Sequence, residues 1–216
     1  MTGRYLRDTR DGYDATAAAY AGRFHDWLDR KPVELAVLRS FAGLVGPGGY
    51  IVDVGCGTGA TTAILARHGT KATGIDLSPN MIGEARRLNP ELDFRIGAMA
   101  HLDLGDETVD GLCAWYSVIH VPDGDLDAVF AEFHRVLRPG GYLLLAFQVG
   151  DRPRILDEAF GAKVSLVFHR RTPQQIIAAA RPHGFTPYVE TVRECDDDGL
   201  ESTPQAFLIM RKPTVS

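Results

Sequence analysis

The chain has 216 residues, of which 45% are hydrophobic and 24% charged, and its formal net charge is -5. This length and composition predict a single globular domain, residues 1–216, with a substantial buried core. The acidic balance argues against nucleic acid or an anionic membrane as the main partner, because both select basic surfaces.

The cysteines indicate a reducing compartment. Cys56, Cys113 and Cys195 are odd in number and far apart, which excludes a disulfide framework and a Cys-x-x-Cys metal pair. We expect Cys56 and Cys113 to behave as small buried hydrophobic residues. Residues 1–10 lack the apolar core of a signal peptide, and no apolar run is long enough to span a bilayer. A cytoplasmic protein is therefore expected.

Two helices are predicted before the first strand, within residues 10–45. Residues 10–24 place apolar and aromatic side chains at helical spacing, among them Tyr13, Tyr20 and Phe24. Pro32 opens a second helix that ends near Leu44. We expect these helices to cap the core that follows.

Between residues 46 and 147, short apolar strands alternate with helices. The predicted strands are residues 50–54, 71–76, 92–97, 109–117 and 142–147. The predicted helices are residues 61–68, 79–89 with Ser78 as the N-cap, and 126–137. This alternation predicts a parallel sheet with helices on both faces and a ligand site beyond the carboxyl ends of the strands.

The C-terminal third follows a different pattern. Residues 148–172 show few regular signals, and we interpret them as an irregular, variable segment at the substrate site. Residues 173–211 contain a predicted helix, 173–183, and two strands, 186–193 and 206–211. The two strands should pair antiparallel because no helix separates them. We interpret Asp196, Asp197 and Asp198 as a solvated loop, since adjacent like charges lack metal-ligand spacing.

A glycine-rich turn follows the first strand. Residues 53–59 read Asp-Val-Gly-Cys-Gly-Thr-Gly, and glycines let the backbone turn sharply and approach a ligand closely. The helix after the turn would direct its free N–H groups at that ligand. With Ala60, the turn also fits the dinucleotide pattern Gly-x-Gly-x-x-Ala, and Asp76 suits either ligand. Asp53 favours a cationic ligand over a pyrophosphate, while a nicotinamide-binding oxidoreductase stays an alternative.

Three segments together resemble the class I S-adenosylmethionine-dependent methyltransferases, of the small-molecule, type 11 or type 25 kind. They are residues 52–59, residues 74–81 (Gly-Ile-Asp-Leu-Ser-Pro-Asn-Met) and residues 134–141 (His-Arg-Val-Leu-Arg-Pro-Gly-Gly). The resemblance spans about residues 13–211. It implies a Rossmann-like, mostly parallel sheet of about seven strands with a C-terminal antiparallel pair. It also implies methyl transfer from S-adenosylmethionine to an oxygen, nitrogen or carbon of a small molecule, with S-adenosylhomocysteine as product, by a monomer or homodimer.

The resemblance also implies the cofactor-binding residues. Asp53 is expected to face the cationic methionine end, and Asp76 to accept both ribose hydroxyls. The other expected contacts are Gly55, Cys56, Gly57, Thr58 and Gly59 in the turn, Leu77, Met81, Ala98 and Met99 at the adenine, Tyr116 and Ser117 near the methyl group, and Tyr13 and Tyr20 as a cover. Many family members carry an acidic residue at the position of Ala98, so here the adenine amino group needs another partner. Alternatively, Tyr13 and Tyr20 are simply a core stripe.

Residues after the fourth strand are candidates for chemistry on the acceptor. A neutral His120 imidazole could take a proton from a hydroxyl or amine, although a histidine bonded to a loop carbonyl is the alternative. Tyr20, His169 and Arg170 are further candidates for acceptor contact, and Arg170 with its neighbour Arg171 could bind an anionic group. A solvated basic turn is the alternative for the arginines. No residue cluster suggests a required metal. A non-catalytic S-adenosylmethionine-binding or regulatory module stays a second functional hypothesis.

Overall fold

The computed structural model of the protein describes residues 3–197 and 199–214. Its helices are α1 (Gly3–Phe24), α2 (Pro32–Val45), α3 (Ala60–Arg67), α4 (Pro79–Leu88), α5 (Leu126–Val136) and α6 (Pro173–Ala180). Its strands are β1 (Tyr50–Val54), β2 (Lys71–Asp76), β3 (Asp93–Ile96), β4 (Val109–Trp115), β5 (Leu137–Gln148), β6 (Arg154–Ala159), β7 (Ala162–Phe168), β8 (Thr186–Arg193) and β9 (Gln205–Arg211).

Seven of these strands form one sheet in the order β3-β2-β1-β4-β5-β9-β8. Strands β1 to β5 pair in parallel, and β9 runs antiparallel to both β5 and β8. The predicted fold class, a Rossmann-like mostly parallel sheet with a C-terminal antiparallel pair, is confirmed. The strand order reverses between β1 and β4, and the carboxyl ends of these two strands therefore border the crevice where such sheets bind ligands.

The central strands of the sheet are buried on both faces. Phe130 and Phe133 of α5 pack on one face, and Leu38 and Phe41 of α2 pack on the other. All four side chains are inaccessible to solvent. This double cover explains why β4 reads as a nearly continuous apolar run in the sequence.

Two elements begin well before their predicted starts. Helix α1 begins at Gly3 rather than at residue 10. The sequence did not indicate its first turns because they are mostly polar and lack an apolar period. In the structure, Arg4 and Asp8 form an ion pair across one of these turns. Strand β5 begins at Leu137 rather than at residue 142. A register shift opposite Val109 and Gly111 and a positive φ of 81° at Gly140 carry the strand through the Pro-Gly-Gly segment.

The prediction that residues 148–172 are irregular was wrong. Strands β6 and β7 form an antiparallel hairpin there, which packs against α1. Its two-residue turn, Phe160-Gly161, has φ values of 51° and 76°, the pattern of a type I′ turn. Phenylalanine occupies the first left-handed position of this turn, where asparagine, aspartate or glycine is usual. The sequence therefore does not predict the hairpin.

Candidate functional site

A cavity of about 550 Å³ lies beyond the carboxyl ends of β1, β2 and β4. It is therefore at the crevice that the strand order predicts. Four further segments complete its walls: α1, the β6–β7 hairpin, the segment after β7 and the β8–β9 loop, residues 194–204. The residues expected to bind the cofactor lie at the ends of the strands, and the four further segments form the rest of the cavity wall.

The glycine turn after β1 forms part of the cavity wall. Gly55 has a φ of 77°, and a Cβ atom added there would lie 2.2 Å from Cβ of Ser117. Gly57 has a φ of 53° and no neighbouring atom within 4 Å of such a Cβ, so its backbone is open to a ligand. Cys56 and Thr58 also line the cavity, whereas Gly59 does not and packs against Phe94 instead.

Asp76 is held rigidly at the end of β2 with its carboxylate at the cavity wall. The backbone N–H of Gly57 donates to Oδ2 at 2.8 Å, and that of Ser78 donates to Oδ1 at 2.9 Å. Burial raises the pKa of Asp76, and these two N–H donors oppose the shift. Each carboxylate oxygen retains a further lone pair, so the residue can still accept a vicinal diol.

Asp53 occupies a different place from the one expected. Its side chain is completely buried and does not line the cavity. The Thr62 hydroxyl donates to Oδ2 at 2.7 Å, which ties β1 to α3 behind the glycine turn. Burial raises the pKa of Asp53 to about 7, against the effect of the Thr62 bond. Because the pleat of β1 turns this carboxyl toward α3, the expected face-to-face contact with a cationic ligand is not supported.

The residues predicted at the adenine are brought together. Leu77, Met81, Ala98 and Met99 all line the cavity near the end of β2 and after β3. The Ser78 hydroxyl accepts from the Met81 N–H at 3.0 Å, which confirms the predicted N-cap of α4. These side chains offer apolar surface on one side of the cavity, as an adenine ring requires.

Tyr116 and Ser117 mark the end of β4 at the cavity. The Ser117 hydroxyl donates to the Val54 carbonyl at 2.6 Å, so it locks the two strand ends together. Tyr116 has a φ of 51°, an unusual value for a residue with a Cβ atom, and its backbone strain is typical of functional sites. Its hydroxyl is buried without a hydrogen-bond partner among the described residues.

His120 and Tyr13 form a hydrogen-bonded pair in the cavity wall. Nδ1 of His120 lies 3.0 Å from the Val167 carbonyl, which can only accept, so Nδ1 carries the proton. Nε2 is then an acceptor for the Tyr13 hydroxyl at 2.8 Å. Burial lowers the pKa of His120 to about 4, so the imidazole is neutral at physiological pH. Both ring nitrogens are thus hydrogen-bonded, Nδ1 to a backbone carbonyl, as expected of a structural histidine, and Nε2 to a phenol that lines the cavity.

Hydrogen bonds hold α1 and the residue after it, His25, over the site at three points. The sequence alone predicted none of these hydrogen bonds. Asp14 accepts from the Ser78 hydroxyl and from the Asn80 N–H, at the start of α4. Nδ1 of His25 lies 3.1 Å from the Thr58 hydroxyl in the glycine turn. The Tyr13 bond to the β4 end is the third point. The polar residues of this helix carried no recognisable motif.

Both predicted tyrosines of α1 line the cavity. Burial raises the pKa of Tyr20 to about 12, and the nearby Asp76 carboxylate adds to the shift. The same two causes, with Tyr20 itself, raise the pKa of Tyr13. Their rings meet edge to face with centroids 6.1 Å apart. They are therefore cavity-wall residues beside Asp76 rather than a stripe in the main core.

The three basic residues after β7 lie in different surroundings. Arg170 lines the cavity, but His169 does not; its backbone N–H donates to the Ile119 carbonyl. Arg171 is buried and donates to the Val121 carbonyl and to the Asp123 carboxylate. A solvated turn is therefore the wrong interpretation for Arg171, which anchors the loop that carries His120.

The β8–β9 loop was also misinterpreted. Asp196 forms an ion pair with Lys31, the residue before α2, and is therefore not simply solvated; Asp198 lies outside the described residues. Sequence reasoning also missed the aromatic and loop residues that close the cavity, because no motif marks them: Trp27, Phe160, Phe168, Leu200, Ser202, Thr203 and Gln205.

Within residues 3–197 and 199–214, no three His, Cys, Asp or Glu side chains are grouped so that they could hold a metal ion. No helix in that part of the chain combines the length and apolar character needed to cross a membrane. All three cysteines are free.

Comparison with known proteins finds similarity over part of the chain. Residues 51–141 match the family model described as a methyltransferase domain. A malonyl-[acyl-carrier protein] O-methyltransferase of Serratia marcescens is 34% identical over 114 residues, covering 53% of this chain and 44% of that relative. The chain spans less than half the length of this and the next curated relatives that it matches.

Solved structures show the same fold over a longer stretch. The 1,6-didemethyltoxoflavin-N1-methyltransferase of Burkholderia thailandensis superposes with a TM-score of 0.77 at 20% identity, over 99% of this chain and 91% of that chain. The [4+2]-cyclase SpnF superposes with a TM-score of 0.68 at 19% identity, over 86% and 84%.

The segment that matches the family model holds the glycine turn, Asp76 and Ser117, and these residues meet at one end of the cavity. Open backbone at Gly57, a rigid diol acceptor at Asp76 and an apolar adenine wall fit S-adenosylmethionine. The chain is similar to the class I S-adenosylmethionine-dependent methyltransferases in its glycine-turn segment and in its fold.

Proposed function

We propose that the protein transfers the methyl group of S-adenosylmethionine to an oxygen, nitrogen or carbon nucleophile of a small molecule. The observation that carries this proposal is the continuity of one cavity from Asp76 and the glycine turn to an aromatic space beyond Ser117. S-Adenosylmethionine, when bound, supplies a methyl group on a positively charged sulfur. The relatives named for malonyl-[acyl-carrier protein] and didemethyltoxoflavin support a small-molecule acceptor.

The residues around the cavity would act mainly by position. Helix α1, fastened by Asp14, Tyr13 and His25, and the β6–β7 hairpin enclose the acceptor side and limit water. Holding a nucleophile in line with the methyl group in a dry site can supply much of the acceleration of a displacement reaction. The lack of a conspicuous catalytic cluster among the described residues is therefore compatible with an enzyme.

Asp76 provides the test of the cofactor site. Replacing Asp76 by Ala should weaken S-adenosylhomocysteine binding by about 10- to 100-fold, because each hydrogen bond to a charged acceptor contributes about 1.5–3 kcal/mol. Isothermal titration calorimetry measures this without any acceptor. Asp93→Ala, which removes an exposed carboxylate at the start of β3, is the matched control. Unchanged affinity in Asp76→Ala would remove the ribose assignment, and binding of NAD without S-adenosylhomocysteine would favour an oxidoreductase.

We further propose that Tyr13 and His120 together remove a proton from an acceptor that arrives protonated. The Tyr13 oxygen would take the acceptor proton while its own proton passes to Nε2 of His120. The distance of 2.8 Å and the protonated Nδ1 make this direction possible. With a pKa of about 4, His120 is a weak base but is free to accept across the physiological range.

His120→Gln should lower kcat by about 100-fold or more for a hydroxyl or amine acceptor, in line with general-base effects. The wild-type rate should show no step attributable to His120 between about pH 5.5 and pH 8, because its pKa lies below that window. Tyr13→Phe should produce a similar loss if the proton passes through the phenol. His68→Gln, at the exposed end of α3, controls for loss of a histidine. A normal kcat in His120→Gln would exclude the base role.

The second hypothesis, a non-catalytic binding module, makes a different prediction. The fold alone is also that of a [4+2]-cyclase, so the fold does not by itself establish methyl transfer. A turnover assay with a broad acceptor panel, read by formation of S-adenosylhomocysteine, separates the two. We infer a cytoplasmic monomer or homodimer, which the free cysteines support as regards the compartment.

A further inference from the structure

Five buried polar atoms in the cavity wall lack hydrogen-bond partners among the described residues. They belong to five residues that line the cavity: the Tyr5 hydroxyl, the Tyr116 hydroxyl, Oε1 of Gln148, Nε of Arg170 and the Thr203 hydroxyl. Buried polar groups in folded proteins are nearly always paired, and an unpaired one is costly. A set of unpaired atoms around one cavity therefore points to groups that a ligand completes.

The backbone brings three of these residues to one place. Gln148 ends β5 opposite Gln205, and the next residue along, Val149, donates its N–H to the Pro204 carbonyl at 2.8 Å. Thr203 precedes this point. Nη2 of Arg170 donates to the Ser202 hydroxyl at 2.7 Å, and Gly150 packs against the Arg170 side chain. The end of β5, the segment after β7 and the β8–β9 loop thus form a single polar corner.

Arg170 gives this corner a positive charge. Glu201, an acidic residue of the same loop that also lines the cavity, is already held by Arg193, with an oxygen–nitrogen distance of 2.6 Å, and by Lys31 at 3.6 Å. The Nε–H of Arg170 has no acceptor among the described residues. A guanidinium with donors to spare matches a carboxylate, and the hydrogen bonds between them are charge-assisted.

Aromatic rings line the cavity between this corner and α1. Phe160, at the tip of the β6–β7 hairpin, lies 6.5 Å from Tyr20 and 6.1 Å from Phe24, between ring centroids. Phe168 packs on His120 with centroids 4.8 Å apart. These rings contact one another and form an aromatic wall, on which the face or edge of a flat conjugated molecule can pack.

We propose that the acceptor is a planar aromatic or conjugated molecule with a carboxylate, which Arg170 binds while Gln148, Thr203 and Tyr116 contact its polar substituents. The proposal rests on the proposed function, since it names the substrate class of that cavity. Arg170 is then a binding residue that selects the acceptor and orients it, with its ring toward the Tyr13–His120 pair.

Calorimetry on protein saturated with S-adenosylhomocysteine tests the proposal. The probes are four acids, benzoate, 4-hydroxybenzoate, quinoline-2-carboxylate and indole-3-acetate, each with its neutral amide. At least one acid should bind about 10-fold or more tightly than its amide, the effect of one charge-assisted hydrogen bond. Arg170→Gln should remove that preference and leave amide binding unchanged. Arg152→Gln, which removes an exposed charge before β6, should keep the preference.

The opposite results are equally definite. If no acid binds more tightly than its amide, or if Arg170→Gln retains the preference, the proposal is wrong. Failure of S-adenosylhomocysteine to bind would contradict the proposed function instead, and the acid–amide comparison would then be made on the free protein. The thermal unfolding curve of Arg170→Gln, measured alongside, shows whether a lost preference reflects lost folding.

Discussion

Replacing Gly55 by Ala should destabilise the protein by about 2–5 kcal/mol and abolish measurable S-adenosylhomocysteine binding. A residue with a Cβ atom pays about 1–2 kcal/mol in the left-handed region, and overpacking a filled site adds about 1–3 kcal/mol. Both apply here, since φ is 77° and the new Cβ would lie 2.2 Å from that of Ser117. Urea unfolding measures the loss of stability, and calorimetry measures the loss of binding.

Gly57→Ala separates the two causes. Its φ is also positive, at 53°, but no atom lies within 4 Å of the added Cβ. Without ligand, this variant should lose only the conformational part, about 1–2 kcal/mol. In addition, Gly55→Ala should destabilise the Ser117→Gly variant less than it destabilises the wild type, because Ser117→Gly removes the colliding Cβ atom. Equal destabilisation by the two alanines, or no coupling with Ser117→Gly, would show that the steric explanation is wrong.

Removing Arg193 should have the next largest effect on stability. Its guanidinium holds two acidic side chains, Glu34 of α2 and Glu201 of the β8–β9 loop, which are 1% and 7% exposed. Breaking a buried ion pair by deleting one partner costs about 3–5 kcal/mol, because the other charge stays buried. Arg193→Met should therefore lower the melting temperature by about 10 °C in a chain of this length.

The stability loss of Arg193→Met should depend on pH, because the carboxylates that it leaves without a partner can take up protons. Burial alone would raise the pKa of Glu201, but hydrogen bonds from Arg193 bring it below its usual value. That pairing stabilises the fold at neutral pH, and its contribution is lost as pH falls through the lowered pKa. The deficit of Arg193→Met should thus shrink toward pH 4. Arg95→Met, which breaks an exposed pair with Asp93, should cost less than about 1 kcal/mol. Similar losses in both variants would contradict the buried-network explanation.

The cofactor half of the site was predictable because its residues lie on regular elements joined by short turns. The glycine turn, Asp76 and the Ser78 cap each have a local physical signature, and the strand order then brings them together. Asp53 shows the limit of that reasoning. The sequence motif predicts that Asp53 lies next to the glycine turn. The direction of its carboxyl, away from the cavity, depends on the pleat of β1 and on the position of Thr62.

The acceptor half was not predictable, because it is assembled from segments distant in sequence. The hairpin turn at Phe160 has no usual turn residue, and the first turns of α1 have no apolar period. The ion pair between Lys31 and Asp196 joins residues that no local pattern relates. His120 is recognisable as a candidate from the sequence, yet its hydrogen bond to Tyr13 depends on the tertiary structure.

The division of the cavity has a consequence for engineering the protein. The segment that matches the family model, residues 51–141, ends before the hairpin and begins after α1. The polar corner at Arg170 and the rings of Phe160 and Phe168 therefore lie outside that segment. We expect that exchanging the hairpin and the β8–β9 loop as a set changes which acceptor binds, while Tyr13, His120 and the glycine turn stay in place.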